Sequence, residues 1–362
     1  MPALAVADAL RARGAEVRFI GARGTGASGT VARAGYPEDL IPLRGFVRRL
    51  SLRNLWTVAL AAAATPRAAS LLVRRRTDVV LGGGSYVAGP VALAAWLTRR
   101  PLVLMEADSH LGVANRLAAP LARRVTLAFP LAGRSGARYL VTGRPVSRAV
   151  AEATRTAGRR AFGIDPGATV ILVVGGSQGA RTLNLAAVEA FGDDPPFDVI
   201  HVAGPTQVDE ARRLLEARSP GARYRLLGWL DNLPEAIAAA DLVISRSGGS
   251  VFELAAIGRP SILVPYPLAT GDHQAKNARW LAEAGAAMVL PDADCTGARL
   301  QGLVGALLAA RRRLVAMAES ARSVGRPDAA DRVADEVVAV VRGRSRGRGR
   351  LIPRRFGRGV AG

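Results

Sequence analysis

Lysine is almost missing from this 362-residue chain: Lys276 stands alone among 50 basic residues, so the other 49 are arginine. A bias that uniform reads as a property of the whole composition. The net charge of +21 is therefore not by itself a sign of nucleic-acid binding. Cysteine is as scarce, and a single Cys295 excludes an internal disulfide and fits a reducing compartment. The three histidines, His110, His201 and His273, lie far apart, and no Cys/His cluster implies a metal site. Aromatic residues make up only 5% and build no stacking platform among the arginines, so no nucleic-acid partner is expected. Long apolar runs are missing too. Trp56–Thr65 and Pro90–Leu97 fall short of the roughly 20 residues that a spanning helix needs, and no signal peptide is visible, so a soluble or peripheral protein is expected.

What is present is a regular alternation of short Val/Ile/Leu runs and amphipathic segments. Strands are expected at Val17–Gly21, Asp78–Gly82, Pro101–Met105 and Arg124–Phe129. Six more are expected at Thr169–Gly175, Asp198–Gly204, Arg223–Leu227, Asp241–Ser245, Ser261–Pro265 and Ala286–Leu290. Continuous apolar strands joined by helical crossovers mean α/β domains with parallel sheets covered on both faces. The length suits two domains, drawn at 1–146 and 147–325. A helix over 326–342 is expected to return to the first domain, and residues 343–362, arginines interleaved with glycine, read as a disordered basic tail.

Two segments carry most of the chemistry. Val170-Ile-Leu-Val-Val-Gly-Gly-Ser-Gln-Gly-Ala-Arg181 and Ile244-Ser-Arg-Ser-Gly-Gly-Ser-Val-Phe-Glu-Leu254 each read as a buried strand running into a small-residue turn that opens a helix. Such a turn offers backbone N–H groups and a helix N-terminus to a phosphate. Ser177, Gln178 and Gly179 form the first turn; Gly248, Gly249 and Ser250 form the second. Glu253 falls in the first turn of the second helix, where a carboxylate suits either the helix dipole or the paired hydroxyls of a ribose. Asp272-His-Gln-Ala-Lys-Asn277 follows, with Gln274 and Asn277 on one helix face. Together these point to a sugar-nucleotide enzyme. A third glycine turn, Gly82-Gly-Gly-Ser-Tyr-Val-Ala-Gly-Pro90, follows a strand of the first half and offers Gly83, Gly84, Ser85 and Tyr86 to a second anionic group.

In the order and spacing of these pieces, with Glu106–Arg116 and Thr142–Val146, the chain resembles the MurG family across nearly its whole length. The resemblance implies a GT-B architecture of two Rossmann-like domains with a cleft between them. It implies an inverting transfer of GlcNAc from UDP-GlcNAc to lipid I, the undecaprenyl-pyrophosphoryl muramoyl-pentapeptide, to form lipid II in peptidoglycan synthesis, with no cofactor and no metal. It assigns Ser177, Gln178 and Gly179 to the diphosphate, Glu253 to the ribose, the Leu230 backbone to uracil and Gln274 to the GlcNAc hydroxyls, with Asn277 beside it. Gly83, Gly84, Ser85 and Tyr86 fall on the acceptor side.

The chain also departs from the family pattern. Asp108 stands where the family has a sugar-contacting Asn, replacing an amide by a group that only accepts. The family's Gly-Asn-Pro-Val-Arg element appears as Gly143-Arg-Pro-Val-Ser-Arg148, which leaves its arginine role to Arg148 or to Arg144. The family's first strand and a glycine-rich turn ending in Gly-His are expected upstream of Met1, so the first domain reads as lacking that strand. No residue inherits the catalytic His by motif; Asp108 and His110 are the remaining candidates.

The same resemblance places the enzyme at the cytoplasmic face of the membrane as a peripheral protein. Phe46, Arg48, Arg49, Leu55 and Trp56 form a basic, aromatic-anchored segment suited to an anionic lipid surface, or equally to an amphipathic core helix. Two other readings stay open: a related GT-B transferase with another acceptor, and a catalytically impaired UDP-sugar-binding protein.

Overall fold

The computed structural model describes residues 2–23, 27–43, 52–108, 110–176 and 179–346. The chain forms two compact units, residues 1–147 with 328–362 and residues 148–327.

In chain order the first unit contains α1 (Pro2–Ala12), β1 (Phe19–Ala22), α2 (Ala27–Arg33), β2 (Glu38–Ile41), α3 (Leu52–Arg74) and β3 (Val80–Gly82). It continues with α4 (Ala88–Leu97), β4 (Leu102–Glu106), α5 (Val113–Ala118), β5 (Arg124–Leu127) and β6 (Tyr139–Val141). The second unit holds α6 (Arg148–Glu152), α7 (Arg155–Ala161), β7 (Val170–Val174), α8 (Arg181–Phe191), β8 (Asp198–Val202), α9 (Val208–Glu216) and β9 (Tyr224–Leu227). After these come α10 (Leu233–Ala239), β10 (Leu242–Ser245), α11 (Ser250–Ile257), β11 (Ser261–Leu263), α12 (His273–Glu283), β12 (Ala287–Val289), α13 (Gly297–Ala309) and α14 (Arg311–Val324). The last helix, α15 (Ala329–Arg346), belongs to the first unit.

All ten expected strands are present, and all described sheets are parallel. The first unit has a two-stranded sheet, β1-β2, and a four-stranded sheet, β3-β4-β5-β6. β4 is buried at every position because both faces are covered. Val103 and Met105 pack with Val6 and Leu10 of α1 and with Val333 and Val337 of α15. Leu102 and Leu104, one residue out of phase, join Ala68, Leu72 and Val91 of α3 and α4 on the other face. Arg13, just past α1, pairs with Asp331 at 2.8 Å and Asp335 at 3.0 Å on α15. That helix runs to Arg346, four residues into the stretch read as a disordered basic tail; residues 347–362 lie outside the described ones. No described helix is long and apolar enough to cross a membrane.

The second unit carries one sheet in the order β12-β11-β10-β7-β8-β9. Counted within the unit, this is 6-5-4-1-2-3, the doubly wound dinucleotide-binding order. Its direction reverses between β7 and β10, and ligands of such sheets bind beyond the strand ends at that point. Ile171 and Val173 of β7 pack with Leu183 and Ala187 of α8 and with Leu300 and Val304 of α13. Truncating a residue as buried as Ile171 to alanine would cost about 2–5 kcal/mol.

Candidate active site

β7 and β10 lie side by side, Val174 opposite Ser245, so both glycine turns leave the sheet at its switch point. The first turn is shaped by close backbone approach. A Cβ on Gly175 would lie 2.6 Å from the Ala180 nitrogen. Gly179 has φ +77°, and a Cβ there would lie 2.5 Å from the Ala203 carbonyl oxygen. Only glycine meets both demands. Ser177 and Gln178, between them, lie outside the described residues.

The second turn is held from beneath by side chains. Asn277, 5% exposed on α12, donates its amide to the carbonyls of Ser247 (3.1 Å) and Gly248 (3.3 Å). In a trans peptide the C=O and the following N–H point in opposite directions. Drawing those two carbonyls toward Asn277 therefore turns the N–H groups of Gly248 and Gly249 away from it. Ser247 Oγ donates to the Gln274 carbonyl at 2.9 Å, and Ser250 Oγ to the Arg246 carbonyl at 3.1 Å. Arg246, 8% exposed, ties the turn to its surroundings. Its guanidinium donates to the Val264 carbonyl (3.1 Å) and to Asp292 (2.5 Å), and lies 5.6 Å from the Tyr266 ring centre. Asp292 also accepts from Thr182 of α8 at 3.4 Å, which links the second turn to the helix that follows the first. Cys295 lies near this pair. Burial, with the Asp292 charge adding to it, pushes its thiol up to about 11, so it is no nucleophile.

α11 begins at Ser250 and ends at Ile257, and the φ of +76° at Gly258 makes the left-handed cap. Glu253 is in its first turn. Gln274 stands at the start of α12, where its Oε1 accepts the Tyr266 N–H at 3.0 Å. The stretch before it is tightly wound: Gly271 and Asp272 have φ of +62° and +57°. Asp272 occupies the N-cap position of α12 without a side-chain cap bond. Leu230 follows the edge strand β9 and is half-buried.

In the first unit, Gly84 has φ +80°, and a Cβ there would meet the Asn115 amide at 3.1 Å. The neighbouring loop is built around Glu106, 5% exposed at the end of β4. Its carboxylate accepts from Asp108 N–H (3.1 Å), Gly112 N–H (2.9 Å) and Asn115 Nδ2 (2.9 Å). Sequence reasoning gave Glu106 no role. Asp108 and His110 are exposed on this loop. Of the two arginines in the Gly143–Arg148 element, Arg144 is the one that joins the loop, at 2.8 Å from the Ala107 carbonyl and 3.3 Å from Asp108. Arg148 pairs with Glu152 at 2.7 Å on the exposed face of α6. Gly83, Ser85 and Tyr86 lie on the turn after β3. Phe46, Arg48 and Arg49 lie outside the described residues, and of Leu55 and Trp56 only their place in α3 is described.

Models of the glycosyltransferase family 28 N-terminal and C-terminal domains match residues 1–127 and 170–333. The UDP-N-acetylglucosamine–N-acetylmuramyl-(pentapeptide) pyrophosphoryl-undecaprenol N-acetylglucosamine transferase of Moorella thermoacetica is 40% identical over 354 residues. That match covers 94% of this chain and 95% of the relative. The enzyme of the same name from Halorhodospira halophila is 42% identical over 341 residues, covering 92% of each. The chain belongs to the MurG family.

The crystal structure of Acinetobacter baumannii MurG is similar in fold, with a TM-score of 0.75 at 29% identity, over 93% of this chain and 95% of that one. The calicheamicin glycosyltransferase CalG4, at 20% identity and a TM-score of 0.66, shares the fold. With MurG-family membership and two parallel-sheet α/β units, the chain is a UDP-GlcNAc-dependent glycosyltransferase of GT-B type.

Proposed function

We propose that this chain transfers N-acetylglucosamine from UDP-GlcNAc to undecaprenyl-linked lipid I, with inversion, to give lipid II. The observation that carries this reading is the pair of glycine turns at the switch point of the second sheet, in a chain whose MurG-family relatives bear that activity in their names. The UDP diphosphate lies against the Gly175–Gly179 turn and the N–H groups of Gly248 and Gly249. There the starts of α8 and α11 offset the charge that develops on departing UDP. Glu253 accepts the ribose hydroxyls, the Leu230 backbone reads uracil, and Gln274 reads the GlcNAc hydroxyls. Asn277 serves from beneath, by aiming the second turn.

The acceptor pyrophosphate lies on the Gly83–Tyr86 turn of the first unit. An inverting displacement needs the attacking hydroxyl deprotonated as the new bond forms. Asp108 and His110, exposed beyond the end of β4, are the groups of the described chain offered for that step.

The enzyme works at the cytoplasmic face of the membrane as a peripheral protein. Exposed Leu93, Trp96 and Leu97 on α4 and Val113 and Leu117 on α5, two helices packed on each other, support this reading, as does the net charge of +21.

The test is direct. Purified chain is incubated with radiolabelled UDP-GlcNAc and a lipid I analogue, and labelled disaccharide-lipid is counted. Product formation supports the reading. UDP binding without transfer would leave only a UDP-sugar-binding protein.

A further inference from the structure

Beneath the first glycine turn lies a polar group that the proposed chemistry does not use. His201 sits near the end of β8 with no exposed surface. Its Nδ1 is 2.8 Å from the Tyr224 hydroxyl at the start of β9, and its Nε2 is 3.0 Å from Asn184 Oδ1 on α8. Asn184, itself 2% exposed, places Nδ2 at 2.9 Å from the Ala203 carbonyl.

The directions of these bonds follow from one fixed point. A carbonyl only accepts, so Ala203 requires the NH2 end of Asn184. Turning that amide over would set two oxygens against each other at 2.9 Å. With Oδ1 therefore facing His201, Nε2 must carry the hydrogen, Nδ1 must be bare, and the Tyr224 hydroxyl must donate to it. The result is a one-way chain, Tyr224 to His201 to Asn184 to the Ala203 carbonyl, satisfied at every atom. Burial pushes His201 down to about 3, so the imidazole is neutral and needs no counter-ion.

The end of the chain is what matters. The Ala203 carbonyl is the group against which Gly179 rests, at the distance that excludes a Cβ. An apolar filling of the same space would cost no desolvated polar groups, but it would leave that carbonyl unheld.

We propose that His201, through Asn184, is a positioning residue for the donor: the pair fixes the Ala203 carbonyl and, through it, the Gly175–Gly179 turn that receives the UDP diphosphate, while Tyr224 only satisfies the ring's other nitrogen. The proposal rests on the reading of that turn as the donor site.

Three variants separate positioning from mere core stability. Asn184→Leu keeps much of the volume but gives the Ala203 carbonyl no donor. It should raise the KM for UDP-GlcNAc, and the Kd for UDP by calorimetry, by about tenfold or more, the worth of one buried hydrogen bond. His201→Gln keeps an amide in reach and should give a smaller rise. Tyr224→Phe removes the far end of the chain; it should lower Tm yet leave donor KM within about twofold, because Asn184 keeps its grip on Ala203. The KM for the lipid acceptor should stay put throughout. Donor KM and UDP Kd that do not move in Asn184→Leu or His201→Gln, or that follow Tm alone across all three, would overturn the proposal. If the wild-type chain binds UDP but transfers nothing, the transferase reading fails while UDP Kd still tests the chain of bonds. If it binds no UDP, both fall.

Discussion

His201 makes a pH signature that no exposed residue would leave. Its folded pKa, about 3, lies below the roughly 6.5 of an unfolded histidine. Between those values the unfolded chain takes up a proton that the folded one refuses. Stability is thus lost as pH falls, by up to about 1.4 kcal/mol per pH unit. Urea unfolding of wild type and His201→Gln between pH 6.5 and 5 should show the steeper decline in wild type; parallel curves would mean that the imidazole is solvated. On the donor side, Glu253→Ala should raise the KM for UDP-GlcNAc about tenfold, with kcat and Tm little changed, as expected for hydrogen bonds from ribose to a charged acceptor. Gln274→Ala should narrow the preference for UDP-GlcNAc over other UDP-hexoses in competition assays. These roles follow from matching motifs to the family. What motifs could not give was the work of Glu106, Asn277 and Asn184. Each is polar and 5% exposed or less, and each holds backbone: Glu106 the Asp108 and Gly112 N–H groups, Asn184 the Ala203 carbonyl, Asn277 the Ser247 and Gly248 carbonyls. Burial is a tertiary fact, and the sequence around these residues does not state it.

At the scale of the element, the glycine turns divide into two physical kinds. Gly179 is tight: φ is positive and a carbonyl fills the space that a methyl would need. Gly248 is open, with nothing within 4 Å of the place a methyl carbon would take on its Cα. Gly179→Ala should therefore lower Tm and donor affinity together, with about 1 kcal/mol or more from backbone strain alone. Gly248→Ala should leave Tm alone and still raise donor KM, because its methyl would stand where the proposed function puts a phosphate. Thermal unfolding beside donor kinetics checks both at once. The strands that the sequence announced are mostly those with apolar runs, such as Val170–Val174. The two it hid are β2 and β6. β2 opens with Glu38 and Asp39, the latter paired with Arg75 at 3.1 Å; β6 is three residues long and partly exposed. Short, partly solvated pairings carry no periodicity to read.

For the molecule as a whole, the charge of +21 and the exposed apolar residues of α4 and α5 give the proposed membrane contact a testable form. Cosedimentation with vesicles containing anionic phosphatidylglycerol should exceed that with neutral phosphatidylcholine, and should weaken as salt rises. Trp96→Ser combined with Leu117→Ser should lower binding at every salt concentration without shifting Tm, since both side chains are more than half exposed. Equal binding to neutral vesicles, or no effect of the pair, would move the membrane contact elsewhere.

The last helix has a bearing on the order in which the protein can be made. The first 147 residues leave the ribosome early, but the unit they belong to also needs α15, which packs on α1 and β4. Residues 148–327 can complete their own sheet while that earlier half waits. Synthesis therefore finishes the second unit before the first, and a stop codon near residue 328 would spare the six-stranded sheet and strand the half that was translated before it.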